Sequence, residues 1–312
     1  MSAGGPVGVL VMAHGTPSRP EDIEAFYTAI RRGRPPTPEL LAELVGRYEA
    51  LGGVSPLAER TRAQVDGVAA ALEARAPGRF VVRYGAKYTS PTIEDGMASL
   101  LAEGADTVVG LVLTPHQSSL GSGEYLRRAA AAAGPSCRFV PVPSWYRAPG
   151  LVELLAGRTE DVLDALAPSA GAGGTALFFT AHSLPRRVVA EGDPYPDQVR
   201  GSGEDIAAYL GLEDRPGVTW DIAWQSAGRT ADPWIGPDLL EEIRRVAAAG
   251  AGAVGVCAVG FVSDHLEVLY DLDIEAAAVA DSVGVAFART PSLNDDPAFL
   301  DILAGVVVGA AP

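Results

Sequence analysis

The chain has 312 residues, 48% apolar and 20% charged, the balance of a folded globular protein of one large or two medium domains and not of a disordered or fibrous one. Its formal net charge of −15, from 39 acidic against 24 basic residues, argues against nucleic acid or an anionic membrane as a partner. Two cysteines, Cys137 and Cys257, both in segments that read as buried strands, provide neither a disulfide framework nor a four-thiolate cluster.

The N-terminus, MSAGGPVGVLVMAHG, lacks the basic region that precedes a signal peptide's apolar core, and a cytoplasmic location is expected. Its apolar run, VGVLVMA, reads as a strand, after which Ser18 or Pro20 opens a helix in HGTPSRPEDIEAFYTAI. Two helical patterns joined by GGVSP come next. The alternation then resumes with strand FVVRYGAKY, a helix from Thr92, strand TVVGLVLTP, a helix around residues 123–133, strand RFVPVPSWY and a helix from Pro149. The stretch PSAGAGG at 168–174 is linker-like. After it come strand TALFFTAHS, a proline-containing loop, helix QVRGSGEDIAAYL, strand VTWDIAWQSA, a helix from Pro237 and strand AVGVCAVGFV. An acidic helix, strand VGVAFART and a last helix from Pro297 complete the chain. The uncharged stretch 246–262 is too broken by Ala and Gly to span a bilayer.

Strands separated by helices of this length predict an α/β fold of two Rossmann-like domains, each a roughly four-stranded parallel sheet flanked by helices. LVMAHGTP in one half echoes FFTAHSLP in the other, as an internal duplication would leave. The expected halves are residues 1–166 and 167–295, with the terminal helix, 296–310, packing back on the first.

The stretch GFVSDHLEVLYDLDIEAAAVA, residues 260–280, concentrates the chemistry. Residues four apart on an α-helix share a face about 6 Å apart, so Glu267, Asp271 and Glu275 form a carboxylate ridge. Three like charges repel unless a cation is near, and hard cations take oxygen ligands. A solvated acidic helix start is the competing account. The ridge follows the carboxyl end of a buried strand, where open α/β folds keep their sites. All four histidines also follow predicted strands: His14 and His116 in the first half, His182 and His265 in the second. Histidines and glutamates at one cleft suit a site that holds a divalent metal, moves protons, or does both.

Other patterns carry less. AHSLP sets a serine beside a histidine without the GxSxG turn of a nucleophile elbow. GSGEYLRRA and RGSGED lack the third glycine of a dinucleotide fingerprint. RRGR at 31–34 reads equally as an exposed helix end or, through Arg31 together with Arg47, as a clamp on the carboxylates of an anionic ligand.

The motifs MAHGTP, AFYTAIRRGRPPTPELL, LVGRYEALGGVSPLA, LTPHQSS, TAHSLP, GDPYPDQV, WQSAGRTADPWIGPD and GFVSDHLEVLYDLDIE span nearly the whole chain. Together they resemble the ferrochelatases, particularly the coproporphyrin ferrochelatases of monoderm bacteria. The resemblance implies a monomeric chelatase of two halves that inserts Fe(II) into coproporphyrin III in the interdomain cleft, in transient contact with a downstream haem-biosynthesis enzyme. It implies that His182 and Glu267 are the metal-handling pair facing each other across the cleft. Asp271 and Glu275 complete its acidic ridge, where a hydrated cation passes or magnesium is held. Arg31, Arg47, Tyr48, Ser55 and Tyr125 match positions that contact the porphyrin and its propionates.

Two departures stand out. Many relatives carry Tyr where this chain has His14, and His where it has Tyr88 after Lys87. The resemblance places His14 opposite His182, where it would meet product iron or alter metal choice, and MAHG also resembles sirohydrochlorin cobalt and nickel chelatases. No cysteine follows Cys257, so the iron–sulfur cluster of some relatives is not expected, nor is any permanently bound cofactor. The alternatives are a chelatase of the same fold for another metal or tetrapyrrole and a non-catalytic porphyrin or haem carrier.

Overall fold

A computed structural model describes residues 5–228 and 232–312. The first half runs β1 (Val7–Ala13), α1 (Ile23–Ile30), α2 (Pro38–Ala50), α3 (Leu57–Arg75), β2 (Phe80–Ala86), α4 (Ile93–Ala102), β3 (Thr107–Val112), α5 (Ser122–Ala133) and β4 (Arg138–Val142). Helix α6 (Leu151–Ala170) leads into β5 (Thr175–His182), α7 (Arg186–Ala190), α8 (Tyr195–Tyr209), β6 (Val218–Gln225), α9 (Leu239–Ala248) and β7 (Ala253–Cys257). Helices α10 (Leu266–Leu269) and α11 (Ala277–Ser282), strand β8 (Ala286–Arg289) and α12 (Pro297–Ala310) follow.

All strand pairings are parallel, in the orders β2-β1-β3-β4 and β6-β5-β7-β8. The halves therefore share one topology, as the AHGTP and AHSLP echo predicted. Central strands of parallel sheets are covered on both faces, which is why they read as unbroken apolar runs. Val9 to Met12 and Leu177 to Phe179 are buried accordingly. In this order the chain reverses its direction of sheet growth between β1 and β3, and again between β5 and β7. Such a reversal leaves a crevice at the strands' carboxyl ends, where helices depart to opposite faces.

Local signals set the helix starts. Thr92 forms a reciprocal capping box with Asp95 at α4, Thr37 caps α2 ahead of Pro38, and Asp238 and Asp296 cap α9 and α12. The boundary expected at 166/167 falls inside α6, whose Val162, Leu166 and Ala170 pack with Ala253 of the second sheet. The first three residues of the linker-like PSAGAGG finish that helix, and 171–173 form a 3-10 turn. Helix α12 returns to the first half, where Phe299, Leu303 and Val307 join Val68, Leu72 and Trp145 in one core.

The halves are bonded to each other close to both crevices. Asp193 accepts hydrogen bonds from Ser119 N and Oγ at 2.7 Å and from Ser118 Oγ at 3.2 Å, and Gln198 Oε1 accepts from Gln117 N at 2.7 Å. On α3, Gln64 donates to the Asn294 carbonyl at 2.8 Å and accepts from Ser263 Oγ at 3.1 Å.

Candidate functional site

His182 is the last residue of β5 and pairs in register with Gln225 of β6. Its Nδ1 lies 2.6 Å from the Ser183 carbonyl. A carbonyl can only accept, so Nδ1 carries a proton and Nε2 turns outward. Glu267 arrives from the neighbouring strand: after β7 the chain loops through residues 258–265 and enters α10 at His265. Glu267 Oε1 lies 3.5 Å from His182 Nε2, and Oε2 lies 3.7 Å from His265 Nε2. The Nδ1 of His265 donates to the Ser263 carbonyl at 2.9 Å, so both rings present Nε2 to one carboxylate.

This corrects the expectation that His182 and Glu267 approach from opposite halves. β5 and β7 are neighbours in one sheet, and the pair sits at that sheet's own point of reversal. The first half supplies His14 instead, just after β1. Its Nδ1 donates to the Gly15 carbonyl at 3.1 Å, and its Nε2 has no hydrogen-bond partner among the described residues.

Charge follows from these contacts. Burial opposes the imidazolium form of His182, but the Glu267 carboxylate, aided by the Ser183 carbonyl and Asp271, outweighs it and raises the pKa to about 9. Burial alone would raise Glu267, yet the His182 and His265 rings hold it well below the ordinary carboxylate range. His14 reaches solvent on one side, but the protein around it desolvates the ring and lowers its pKa, an effect that Glu267 partly offsets. At neutral pH the site thus holds an imidazolium–carboxylate pair in one half and an uncharged imidazole in the other.

The ridge beyond Glu267 is not a plain α-helix. Residues 271–276 form a π turn, in which Glu275 N donates to the Tyr270 carbonyl at 2.9 Å. The α spacing read from sequence therefore applies only up to Tyr270, and π turns of this kind recur at functional sites. Asp271 is buried and Glu275 half-exposed. Burial raises Asp271 to about 6, helped by Glu267 and Glu275 and resisted by Ser226 and Arg47. Ser226 Oγ donates to Asp271 Oδ2. Arg47 of α2 completes the arrangement, with Nη1 3.3 Å from Asp271 Oδ1, Nη2 4.0 Å from Glu275, and its guanidinium 4.8 Å over the Tyr270 ring.

The family model described as Ferrochelatase matches residues 6–311. The chain belongs to the ferrochelatase family. A ferrochelatase from Herpetosiphon aurantiacus is 41% identical over 304 residues, covering 96% of this chain and 98% of that one. The coproporphyrin III ferrochelatases of Bacillus pumilus and Bacillus subtilis are each 40% identical over 306 residues, covering 97% of this chain and 96% and 97% of theirs. Among solved structures, Bacillus subtilis SirB with Fe3+ superposes with a TM-score of 0.57 at 12% identity, covering 98% of this chain and 96% of that one. CbiX, described as the terminal enzyme of sirohaem biosynthesis in denitrifying bacteria, superposes with a TM-score of 0.52 at 18% identity, covering 98% and 100%. These two likenesses concern the fold alone.

The remaining expected residues of this ferrochelatase-family chain differ in burial and in partners. Arg31, at the end of α1, lies 5.6 Å from the Tyr27 ring and has no carboxylate partner among the described residues. Arg47, by contrast, is taken up by the ridge. Tyr48 is buried, its hydroxyl 3.5 Å from Thr16 Oγ1, and Ser55 Oγ accepts from Leu57 N at 3.2 Å. Tyr125 is buried beneath Lys87, whose Nζ lies 5.1 Å from its ring and 2.7 Å from Glu124. The two sequence departures meet in space, for the rings of His14 and Tyr88 touch edge to face at 4.8 Å, with Phe26 against both. His116 stands apart from the other histidines. It is buried against α8, with Nε2 2.8 Å from Ser202 Oγ, and burial drives its pKa down to about 3.

Sequence reasoning assigned no role to Gln225 or Ser226. The motif WQSAGRTADPWIGPD contains both, but nothing in its spacing says that they reach residues 267 and 271. Within that motif, 229–231 lie outside the described residues.

Proposed function

We propose that this protein is a coproporphyrin III ferrochelatase, inserting Fe(II) into coproporphyrin III in haem biosynthesis. The observation that carries the reading is 40% identity to coproporphyrin III ferrochelatases across 97% of the chain. Metal insertion exchanges the pyrrole N–H protons for Fe(II), so the site must accept protons and tolerate a dication. The Glu267 carboxylate, kept ionised between two imidazoles, supplies negative charge where the metal arrives. His182 is protonated at rest, so it accepts a pyrrole proton only after passing on its own. His14, held neutral with no hydrogen-bond partner at Nε2 among the described residues, gives the other half an acceptor or ligand without that step.

For the substrate's propionates, Arg31, Tyr48, Ser55 and Tyr125 are kept as contacts, and Arg31 has no carboxylate partner among the described residues. A cation drawn to Asp271 and Glu275, whether Fe(II) on its way in or magnesium, competes with Arg47. Fe(II) is then the substrate, and the protein carries no resident cofactor or iron–sulfur cluster. It works as a cytoplasmic monomer that hands its product over by transient contact with a downstream enzyme of haem biosynthesis; no described helix is long and apolar enough to cross a membrane.

The test is anaerobic incubation of the purified protein with Fe(II) and coproporphyrin III, following loss of the free-base absorption bands. Faster turnover with coproporphyrin III than with protoporphyrin IX is expected. Insertion no faster than the protein-free control would end the reading, and Co(II) or Ni(II) insertion into sirohydrochlorin would replace it.

A further inference from the structure

Successive side chains of a strand point to opposite faces of the sheet. Gln225 ends β6 and Ser226 lies just past it, yet both side chains reach the acidic segment. The cause is Ser226 itself, which adopts φ +60°, a left-handed conformation that non-glycine residues avoid. The turn swings its hydroxyl onto Asp271 Oδ2, beside the Gln225 side chain. Strain of this kind persists where surrounding contacts hold it, and often at functional sites.

Gln225 makes the second grip. Its Nε2 donates to the Glu267 main-chain carbonyl at 3.0 Å, and its Oε1 accepts from Thr180 Oγ1 at 2.9 Å. Thr180 is fully buried and Gln225 is 3% exposed, so neither bond exchanges readily with water. Thr180 lies two residues before His182 on β5, and Gln225 is the register partner of His182. The relay from Thr180 through Gln225 to the Glu267 carbonyl therefore ties the backbone carrying the carboxylate to the strand carrying the imidazole. No helix-internal contact can do this, because α10 is one short turn followed by a π turn.

We infer that Gln225 and Ser226 are positioning residues for metal insertion: a two-pronged clamp at the end of β6 that holds Glu267 against His182 and Asp271 in the ridge. The inference rests on the ferrochelatase reading for its kinetic consequence, though not for its geometric one. Misplacing a reacting group by about 1 Å costs up to roughly a hundredfold in rate, so the clamp should appear in kcat more than in porphyrin KM.

Ser226→Gly separates positioning from stability, because glycine accepts φ +60° without strain while losing the hydroxyl. Relief of the left-handed strain offsets the lost hydrogen bond to Asp271, so its melting temperature should stay near the wild-type value, with kcat for Fe(II) insertion into coproporphyrin III down about tenfold and KM within about twofold. Gln225→Leu and Thr180→Val should lower kcat similarly, and Thr180→Ser, which keeps the donor, should restore at least about half of it. A crystal structure of Gln225→Leu should show His182 Nε2 and Glu267 Oε1 farther apart than 3.5 Å. An unchanged separation, wild-type kcat in Ser226→Gly, or kcat losses that only follow melting-temperature losses would each overturn the clamp. If the wild-type protein inserts no Fe(II), the functional reading fails, and the crystallographic separation still decides the clamp.

Discussion

Arg47 of the first half donates to Asp271 of the second at 3.3 Å, so the acidic ridge is balanced by a cation from the facing domain. Both side chains are largely buried, at 24% and 8% exposure, and removing one partner leaves the other charge uncompensated. Arg47→Leu is expected to destabilise the protein by about 2 kcal/mol at neutral pH, judged against the larger costs of breaking fully buried pairs. Urea unfolding measures it. The loss should shrink near pH 5, where Asp271, raised to about 6, is mostly protonated and no longer needs the guanidinium.

Glu267→Gln removes the charge that holds the His182 proton. Burial then acts on the imidazole with less opposition, and its pKa should fall from about 9 toward or below neutrality. An NMR pH titration of the four histidines reads the shift directly. Iron insertion should drop by about a hundredfold or more, the lower end expected for loss of a group that both transfers protons and stabilises charge. A His182 signal still titrating near pH 9 in the variant would show that Glu267 is not the cause.

Asp271→Asn should change how stability depends on pH. The folded protein binds the Asp271 proton more tightly than the unfolded chain, because the pKa rises from 3.8 to about 6. Its contribution to stability is therefore complete below about pH 3.8 and is lost as pH climbs through about 6. Asparagine cannot ionise and avoids that loss, so the variant's melting temperature relative to wild type should be more favourable at about pH 8 than at about pH 4.5. The His182 contribution, present below 6.5 and lost as pH rises through about 9, is common to both proteins to first order.

His14→Tyr should alter metal selectivity or product release more than folding. The residue is exposed, and its ring contacts are the edges of Phe26 and Tyr88 with one bond to its neighbour's carbonyl. A melting-temperature change below about 3 °C is expected, as for an exposed substitution worth less than about 0.5 kcal/mol. Relative rates with Fe(II), Co(II) and Ni(II) should shift. A large fall in melting temperature with unchanged metal preference would make His14 a structural residue.

The amino-acid sequence was sufficient for the eight strands among the described residues and for their parallel arrangement in two halves, because buried parallel strands must be apolar throughout and helices of ten or more residues separate most of them. It also pointed to residues 260–280, because their carboxylates follow the carboxyl end of a buried strand, where open α/β folds keep their sites. Spacing along one chain, however, predicts neighbours only while the hydrogen-bond pattern is known. A π turn at 271–276 changed that pattern inside the ridge, and the left-handed turn at Ser226 sent two consecutive side chains to one place. Contacts between distant segments depend on how sheets order their strands and how domains dock. Only the tertiary structure could therefore show that His182 and Glu267 follow neighbouring strands of one sheet and that Arg47 faces the ridge.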